Sequence, residues 1–237
     1  MRWRLGLRHA AADARCTHQY TNQRKQCGSL LDSFMDHAVL CKVGPGVYRT
    51  HNMLAHKLRE YAKEAGCEAE TEVTVPSLLK GQPGTTKTEE ARLDVHVWAG
   101  GSWPMEAYVD VTTRHPWASR YQQEALADTK LAPTATERKA TAQKEARYAP
   151  AVDGIPIIVA VLGSWGRLSK SLIELLELLS RRAAHARADA GVRATGRHRR
   201  WVEEIAVAQQ RCLHRQFATA MQTACHSPST GTPTDLA

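Results

Sequence analysis

The sequence lacks any apolar segment long enough to cross a lipid bilayer. Its longest apolar stretch runs from Ile155 to Leu162, whereas a membrane-spanning helix needs about 20 residues. The first residues, Met1 to Arg8, also lack the apolar core of a secretory signal. We therefore expect no membrane partner and no secretion. The same residues are rich in arginine and poor in acids, which leaves a mitochondrial address open.

Internal repeats are absent, and cysteine is scarce, with six residues in a chain of 237. This length is enough for one domain-sized core plus additional segments. A chain without a secretory signal is expected to keep its cysteines reduced. Closely spaced cysteine and histidine residues then indicate a metal site rather than disulfides.

What the sequence has in excess is positive charge. The formal net charge is +8 and the isoelectric point is about 9.3. Such an excess is typical of proteins that bind polyanions, although an incidentally basic surface explains it equally well. In Arg199-Arg200-Trp201, guanidinium groups adjoin an aromatic ring, a combination suited to nucleic-acid contact; a solvated helix face or a nuclear-import signal is the alternative. The same basic run includes Arg181, Arg182, Arg187, Arg193 and Arg197.

Hydrophobic periodicity predicts an α/β fold. Apolar residues at helical spacing, including Leu54, Leu58 and Tyr61, precede three strand-like segments, and a second amphipathic helix begins near Leu168. Glycine, proline and threonine between residues 77 and 90 predict a loop. The predicted order is helix, strand, strand, strand, helix, strand, helix, over residues 50–65, 67–75, 92–98, 105–113, 135–148, 155–162 and 168–190. A further helix is predicted over 201–221.

Two aspartates occupy the middle of predicted strands. Asp94 lies on the polar side of an apolar alternation, and Asp110 is flanked by Val109 and Val111. A carboxylate in a half-buried strand is costly unless it is paired or bound to metal. Because the two strands are consecutive, a hairpin can bring both carboxylates together, as Mg²⁺ and similar ions require. The alternatives are two aspartates on a solvated sheet face, or N-terminal helix caps misread as strand residues.

Near the N-terminus, four residues offer a complete set of tetrahedral zinc ligands, namely Cys16, Cys27, His37 and Cys41. His37 and Cys41 are one helical turn apart, which can place both side chains on one face. The separation of Cys16 and Cys27 is longer than the short knuckle of an ordinary zinc finger. His18 in place of Cys16 or His37 is therefore one alternative, and buried free cysteines are another.

Taken in order, these features resemble the PD-(D/E)xK nuclease fold, whose core runs α-β-β-β-α-β. In that fold the acids lie on the second and third strands, where this chain has Arg92-Leu93-Asp94 and Asp110-Val111-Thr112. Leu93 stands in place of the motif's proline, and Thr112 in place of its catalytic lysine. Some branches of the fold carry that lysine on the following helix, where Lys144 and Tyr148 share one helical face.

This pattern of Lys144 followed by Tyr148 resembles the one in the endonuclease domain of site-specific non-LTR retrotransposon reverse transcriptases. The resemblance covers roughly residues 2–185, and the usual arginine before His51 is replaced by Thr50. No polymerase motif is present, so the chain resembles a detached or fragmentary relative. The further short matches are Arg4-Leu5-Gly6-Leu7, Asp36-His37-Ala38-Val39-Leu40-Cys41-Lys42 and His51-Asn52.

The resemblance implies a metal-dependent DNA endonuclease. Asp94 and Asp110 would bind Mg²⁺ or Mn²⁺, Lys144 would position or activate the attacking water, and Tyr148 would orient Lys144 or the phosphate. Glu72, on the preceding strand, is a third candidate acid. The main alternative is a catalytically inactive, zinc-containing module that binds nucleic acid, and a plain interaction domain is a third, weaker one.

The family also implies a Cys/Cys/His/Cys zinc finger before the nuclease. The expected arrangement is a basic lead-in and finger in residues 1–45, a restriction-endonuclease-like domain in 46–190, and a basic helical extension with a disordered tail in 191–237. DNA is the expected partner, with RNA as a second candidate, and the nucleus is the expected location.

Overall fold

The computed structural model describes residues 14–19, 26–32, 36–81, 88–101, 104–115, 118, 132–147, 151–186 and 194–222. The chain is an α/β protein that divides into two compact units. One comprises residues 1–46 together with 213–237, and the other comprises residues 47–212. No helix in these described segments has the length and apolar character needed to span a membrane.

A mixed sheet with strand order β1-β2-β3-β5-β4 forms the centre of the larger unit. β1, β2 and β3 are antiparallel, β5 runs parallel to β3, and β4 is antiparallel to β5. Because parallel neighbours need a crossover, a helix lies between β3 and β5 in the chain. The strands are β1 Glu68–Gly81, β2 Thr88–Ala99, β3 Met105–Arg114, β4 Ala151–Val152 and β5 Ile155–Gly163. The helices are α1 Asp36–Leu40, α2 Gly46–Glu64, α3 Ala132–Glu145, α4 Lys170–Ala186 and α5 Ala194–Gln222.

The predicted alternation of helices and strands is confirmed, with α1 and β4 in addition. These two elements have five and two residues, which is too short for either periodicity to be visible in the sequence. The main core lies between the sheet and the amphipathic helices. Its fully buried side chains include Leu54 and Leu58 of α2, Val95 of β2, Val109 of β3, and Leu172, Leu176 and Leu179 of α4.

The prediction of a loop over residues 77–90 is wrong at both ends. β1 continues to Gly81 and β2 begins at Thr88, while residues 82–87 lie outside the described part of the chain. Pro76 does not end β1, because β1 is an edge strand and its register shifts between Val75 and Leu79. Proline is tolerated at such an edge or bulge, where no ladder hydrogen bond is lost.

The expectation that Arg199-Arg200-Trp201 forms a nucleic-acid surface is wrong for Trp201. Its side chain is fully buried, stacks on Tyr61 at 4.8 Å between ring centroids, and donates a hydrogen bond of 3.0 Å from Nε1 to Glu64 Oε2. Glu64 Oε1 also pairs with Arg200 and, at 3.4 Å, with Nε of the buried Arg197. This part of the basic run therefore fastens α5 to α2, and Trp201 has no free face for a base.

Replacing Glu64 with glutamine is expected to destabilise the protein. Although burial acts in the opposite direction, bonds from Arg200 and Trp201 hold the pKa of Glu64 below its ordinary value. Loss of the carboxylate charge should lower the free energy of unfolding by about 2 kcal/mol, the usual worth of a charged hydrogen bond. Urea denaturation measures this, with Glu60→Gln, an exposed position on the same helix, as the control. Equal stability of the two variants would contradict this account.

Candidate functional site

The structure brings Asp94 and Asp110 together where β2 and β3 separate. The two strands are paired from Ala99 opposite Met105 to Val95 opposite Val109, and the aspartates are the next residues on each strand. Just beyond the last paired residues, the amide N of Val111 donates a hydrogen bond of 2.6 Å to Asp94 Oδ2. The Asp94 carboxylate thus takes the place that a backbone carbonyl of β2 would have in a continued ladder. The hairpin therefore places two carboxylates side by side at the end of the ladder.

Lys144 of α3 reaches the same point. Its Nζ donates a hydrogen bond of 2.8 Å to Asp110 Oδ1 and lies 2.8 Å from Asp110 Oδ2. The second approach lies outside hydrogen-bond geometry, so the buried Oδ2 has an electrostatic contact but no hydrogen-bond donor among the described residues. Tyr148, the other residue expected on this helix, lies outside the described part of the chain.

Burial and charge push the pKa values of the two aspartates in opposite directions. Burial, with the neighbouring Asp94 charge, raises the pKa of Asp110 even though Lys144 opposes the shift. Burial also acts on Asp94, but hydrogen bonds and charge from His51 hold its pKa below the ordinary value. A divalent cation favours oxygen ligands and would stabilise both carboxylates in the charged form. The adjacent acids, with the lone pairs of the buried Asp110 Oδ2 that accept no hydrogen bond among the described residues, could therefore hold Mg²⁺ or Mn²⁺.

His51 also belongs to this site, although the sequence pattern does not predict its position there. It lies on α2, and its Nε2 is 3.2 Å from Asp94 Oδ2, while Nδ1 is 3.2 Å from Asn52 Oδ1. The hydrogen bond to Asp94 raises the pKa of His51 against the effect of burial. The only signal in the sequence is the short His51-Asn52 match, because a single histidine on a helix does not indicate which strand it faces.

Thr112 lies two residues beyond Asp110 on β3 and is 4% exposed. It occupies the strand position at which the resemblance expects a lysine. The lysine that contacts Asp110 comes instead from α3, so the positive charge at this site is present but is supplied by a different element.

The His51 and Asp94 pair predicts a pH dependence of stability. A raised histidine pKa adds stability that is complete below its ordinary value of 6.5 and is lost as the pH rises through the raised value. A lowered aspartate pKa adds stability that is present above 3.8 and is lost as the pH falls through the lowered value. Urea denaturation across pH should therefore show that His51→Gln removes the loss on the alkaline side. His56→Gln, an exposed change on the same helix, should leave it, and an unchanged profile for His51→Gln would disprove the link.

The smaller unit contains a second candidate centre, formed by Cys16, Cys27, His37 and Cys41. A short antiparallel hairpin explains the long spacing of the first two, since Gly28 N donates to Cys16 O at 3.0 Å and Cys27 N donates to His18 O at 2.8 Å. The paired chain segments place Cys16 beside Cys27 despite their separation in sequence. Asp32 caps α1 through the amide N atoms of Asp36 and His37, at 2.9 and 2.8 Å, which fixes the start of the helix that carries His37.

The four ligand atoms of this cluster all lie within 4.8 Å of one another. Cys16 Sγ is 3.7 Å from Cys41 Sγ, and Cys27 Sγ is 3.4 Å from His37 Nε2. A tetrahedral zinc ion with ordinary bond lengths would separate two sulfur ligands by roughly 3.8 Å. The cluster can therefore hold a metal such as zinc.

The pKa values of two of these cysteines shift in opposite directions. Burial, followed by the charge of Cys41, raises the pKa of Cys16 to about 12. Burial acts on Cys27 too, but hydrogen bonds involving Ser29 and His37 lower its pKa to about 6. His18, the alternative ligand, is not one of the four; its buried ring lies beneath Gly44, where a Cβ would come within 2.7 Å of it.

Comparison of the chain with models of known protein families and with curated protein sequences found no match.

Proposed function

We propose that this chain is a metal-dependent DNA endonuclease of the restriction-endonuclease-like class, related to the nuclease domain of non-LTR retrotransposons. The observation that carries the proposal is the contact of 2.8 Å between Lys144 Nζ and the buried carboxylate of Asp110, beside Asp94. Two acids that can hold a divalent metal, with a lysine beside them, are groups suited to phosphodiester hydrolysis.

The order of elements supports the same class. α2 is followed by the antiparallel strands β1 to β3, then by α3 and by β5, which is parallel to β3. This order resembles the α-β-β-β-α-β order of the restriction-endonuclease-like core, in which Asp94 would lie on the second strand and Asp110 on the third. The lysine on α3 corresponds to the branches in which that residue has moved to the helix.

In the proposed mechanism Asp94 and Asp110 would hold Mg²⁺ or Mn²⁺, which when bound would supply a Lewis acid and lower the pKa of water. Lys144 positions the attacking water and offsets negative charge that accumulates on the phosphate. The oxygen of that water would form a bond to phosphorus while the bond to the leaving sugar oxygen breaks, and the proton that the water gives up would go to the leaving oxygen. His51 would hold the Asp94 carboxylate at Oδ2, the oxygen that also accepts the hydrogen bond from the Val111 amide.

The smaller unit is proposed to bind Zn²⁺ through Cys16, Cys27, His37 and Cys41 as a structural centre. A complete set of four protein ligands leaves no open position, as is typical of structural rather than catalytic zinc. Together with the net charge of +8, this unit fits a role in binding DNA, or RNA, in the nucleus.

A second candidate function is a zinc-containing nucleic-acid-binding module without catalysis. The observation that favours it is the buried Thr112 at the strand position that carries lysine in most of the class. The two candidates share the metal ligands of the smaller unit and differ in whether a phosphodiester is cleaved.

Incubation of the protein with supercoiled plasmid, in Mg²⁺, Mn²⁺ or EDTA, distinguishes them. We expect nicked circles with either metal, none in EDTA, and none from Asp94→Asn. Glu70→Gln removes an exposed carboxylate from β1 and should nick at the parental rate. Salt-sensitive DNA binding without nicking would support the non-catalytic module, and the absence of both binding and nicking would exclude both functions.

A further inference from the structure

A cleft lies where the parallel strands β3 and β5 end, the edge at which open α/β sheets commonly bind ligands. It is lined by Arg114 at the end of β3, by Thr136 and Glu137 of α3, and by the segment that connects β5 to α4. Its volume of about 40 Å³ is roughly three times what a single water needs, and its walls are mostly apolar. The cleft is therefore suited to a small apolar ring rather than to an isolated ion.

Trp165 is the largest side chain of the cleft, and it stands at an unusual place. It occupies the third position of the tight turn 163–166, which a backbone hydrogen bond of 2.9 Å closes, and turns of this kind favour small and polar residues. Ser164 fastens the turn to β3, since its amide N and its Oγ donate to Arg114 O at 2.8 and 3.1 Å. The Trp165 ring is half-buried and meets the His115 ring edge to face, at 5.9 Å between centroids. A large aromatic ring is thus held firmly at the mouth of the cleft.

Two arginines, Arg114 and Arg167, line the cleft together with this ring. The Arg167 side chain is 53% exposed, and its Nε lies 3.8 Å from Glu137 Oε2. Glu137 Oε1 also accepts a hydrogen bond of 2.9 Å from the amide N of Lys170, at the start of α4. The lining therefore has two cationic side chains to one acid. An aromatic ring beside guanidinium groups can bind a base by its face and the adjoining phosphate by charge.

The cleft and the two aspartates lie along the same elements. Asp110 and Arg114 are four residues apart on β3, so they face the same side of the sheet and are separated by about 13 Å. Lys144, which contacts Asp110, and Glu137 are seven residues apart, or about 10 Å along α3. One strand of duplex DNA advances about 3.4 Å per nucleotide. The cleft is therefore about three or four nucleotides away from the carboxylates.

We propose that this cleft binds an unpaired nucleotide of the DNA substrate, with its base against Trp165 and its phosphate at Arg114 and Arg167. The inference rests on the proposed function and names its substrate class, which is a duplex with an unpaired nucleotide about three or four positions from the bond that is cut. A base inside an intact duplex cannot enter such a cleft without unstacking. A base that is already unpaired avoids most of that free-energy cost, so the cleft favours such sites.

Fluorescence anisotropy of the full chain with labelled duplexes tests this role without depending on cleavage, provided that no Mg²⁺ or Mn²⁺ is added. Three duplexes of one sequence are compared, namely a fully paired one, one with an extra unpaired deoxyadenosine, and one with an abasic residue at that extra position. The abasic duplex has the same extra backbone but no base to stack. We expect the bulged duplex to bind about tenfold more tightly than the other two, a usual effect of stacking one base on an aromatic ring.

Substitutions at the ring and at its cationic neighbour assign this preference to the cleft. Trp165→Ala should lose the preference and keep parental affinity for the paired duplex, whereas Trp165→Phe, which retains a flat ring, should keep most of it. Arg167→Gln changes an exposed position, so it should fold even if Trp165→Ala does not, and it should weaken binding of the bulged duplex. Tyr48→Ala is the control, because Tyr48 is a 70% exposed ring that does not line the cleft.

Equal binding of the bulged and abasic duplexes by the parent, or an unchanged preference in both Trp165→Ala and Arg167→Gln, would overturn the inference. The plasmid assay separates this failure from that of the proposed function. If the parent nicks plasmid with Mg²⁺ but does not prefer the bulged duplex, only the nucleotide cleft fails. If it binds none of the three duplexes and nicks no plasmid, both fail.

Discussion

Replacing Cys41 with serine is expected to remove bound zinc from the purified protein and to unfold the hairpin around it. Cys41 is 4% exposed, and its sulfur lies 3.7 Å from that of Cys16. Structural zinc contributes roughly 10 kcal/mol or more to the folding of small zinc-binding segments, which is comparable with the entire stability of a typical domain. The cluster around these ligands buries few large side chains, with Leu31 the largest apolar one among its buried members. Within the described part of this cluster, little apolar surface is buried that could hold the ligands together without metal.

Metal analysis by mass spectrometry gives the first readout, with about one zinc ion per chain expected for the parent and none for Cys41→Ser. Hydrogen exchange gives the second. The amides of Cys16, Cys27 and Leu31 donate backbone hydrogen bonds across the hairpin, and they should lose their protection in the variant. The core of the larger unit should keep its protection, because its buried residues do not include the zinc ligands.

Cys67→Ser is the matched control for this experiment. Cys67 is also 4% exposed, but it packs in the core of the larger unit and is not part of the Cys/His cluster. It should retain the full zinc content, although a hydroxyl in that apolar place costs some stability. A parent protein that folds with no zinc, or a Cys41→Ser variant that keeps it, would show that these are simply buried thiols.

The elements that the sequence predicts well are those with long periodic patterns. The apolar stripe of Leu54, Leu58 and Tyr61 identifies α2, and alternation around Asp94 identifies β2. The same alternation places Asp94 on the polar face, and the strand order then brings it to Asp110. Periodicity is sufficient here because each of these elements buries one face, and the buried face is visible in a single sequence.

Features that depend on contacts between distant elements could not be predicted in this way. Arg199-Arg200-Trp201 looks like a nucleic-acid surface in the sequence, but Trp201 stacks on Tyr61 and donates a hydrogen bond to Glu64, and both partners are far away in the chain. The contact of His51 with Asp94 joins α2 to β2 and has no local signal. Glu72, in the middle of β1, has a φ of 63°. The sequence does not suggest this, because glycine is the residue that readily adopts a positive φ.

The second large effect is expected on catalysis, from removal of the positive charge of Lys144 on α3. Replacing Lys144 with methionine is expected to reduce plasmid nicking by about 10²- to 10³-fold, the usual effect of removing one charge-stabilising donor from an active site. Methionine is close to lysine in length and apolar volume, so the packing of α3 should be little changed. Lys170→Met is the control, because the Lys170 side chain is 85% exposed and its ammonium group pairs with Glu174, away from the two aspartates.

A double variant tests whether Lys144 acts through the Asp110 site. If both residues serve one metal-dependent step, Asp110→Asn with Lys144→Met should be no slower than Asp110→Asn alone, since residues acting as a unit are not additive.

The stability of the single Lys144→Met variant gives an independent measurement. Without the ammonium group, burial raises the pKa of Asp110 further above its already raised value, so this variant should become less stable as the pH rises through that value. Asp110→Asn with Lys144→Met removes the buried charge and should not show that decline. Nicking by Lys144→Met at the parental rate would assign Lys144 to structure, as the counter-charge of Asp110, and would leave the two aspartates as the only catalytic groups of the proposed site.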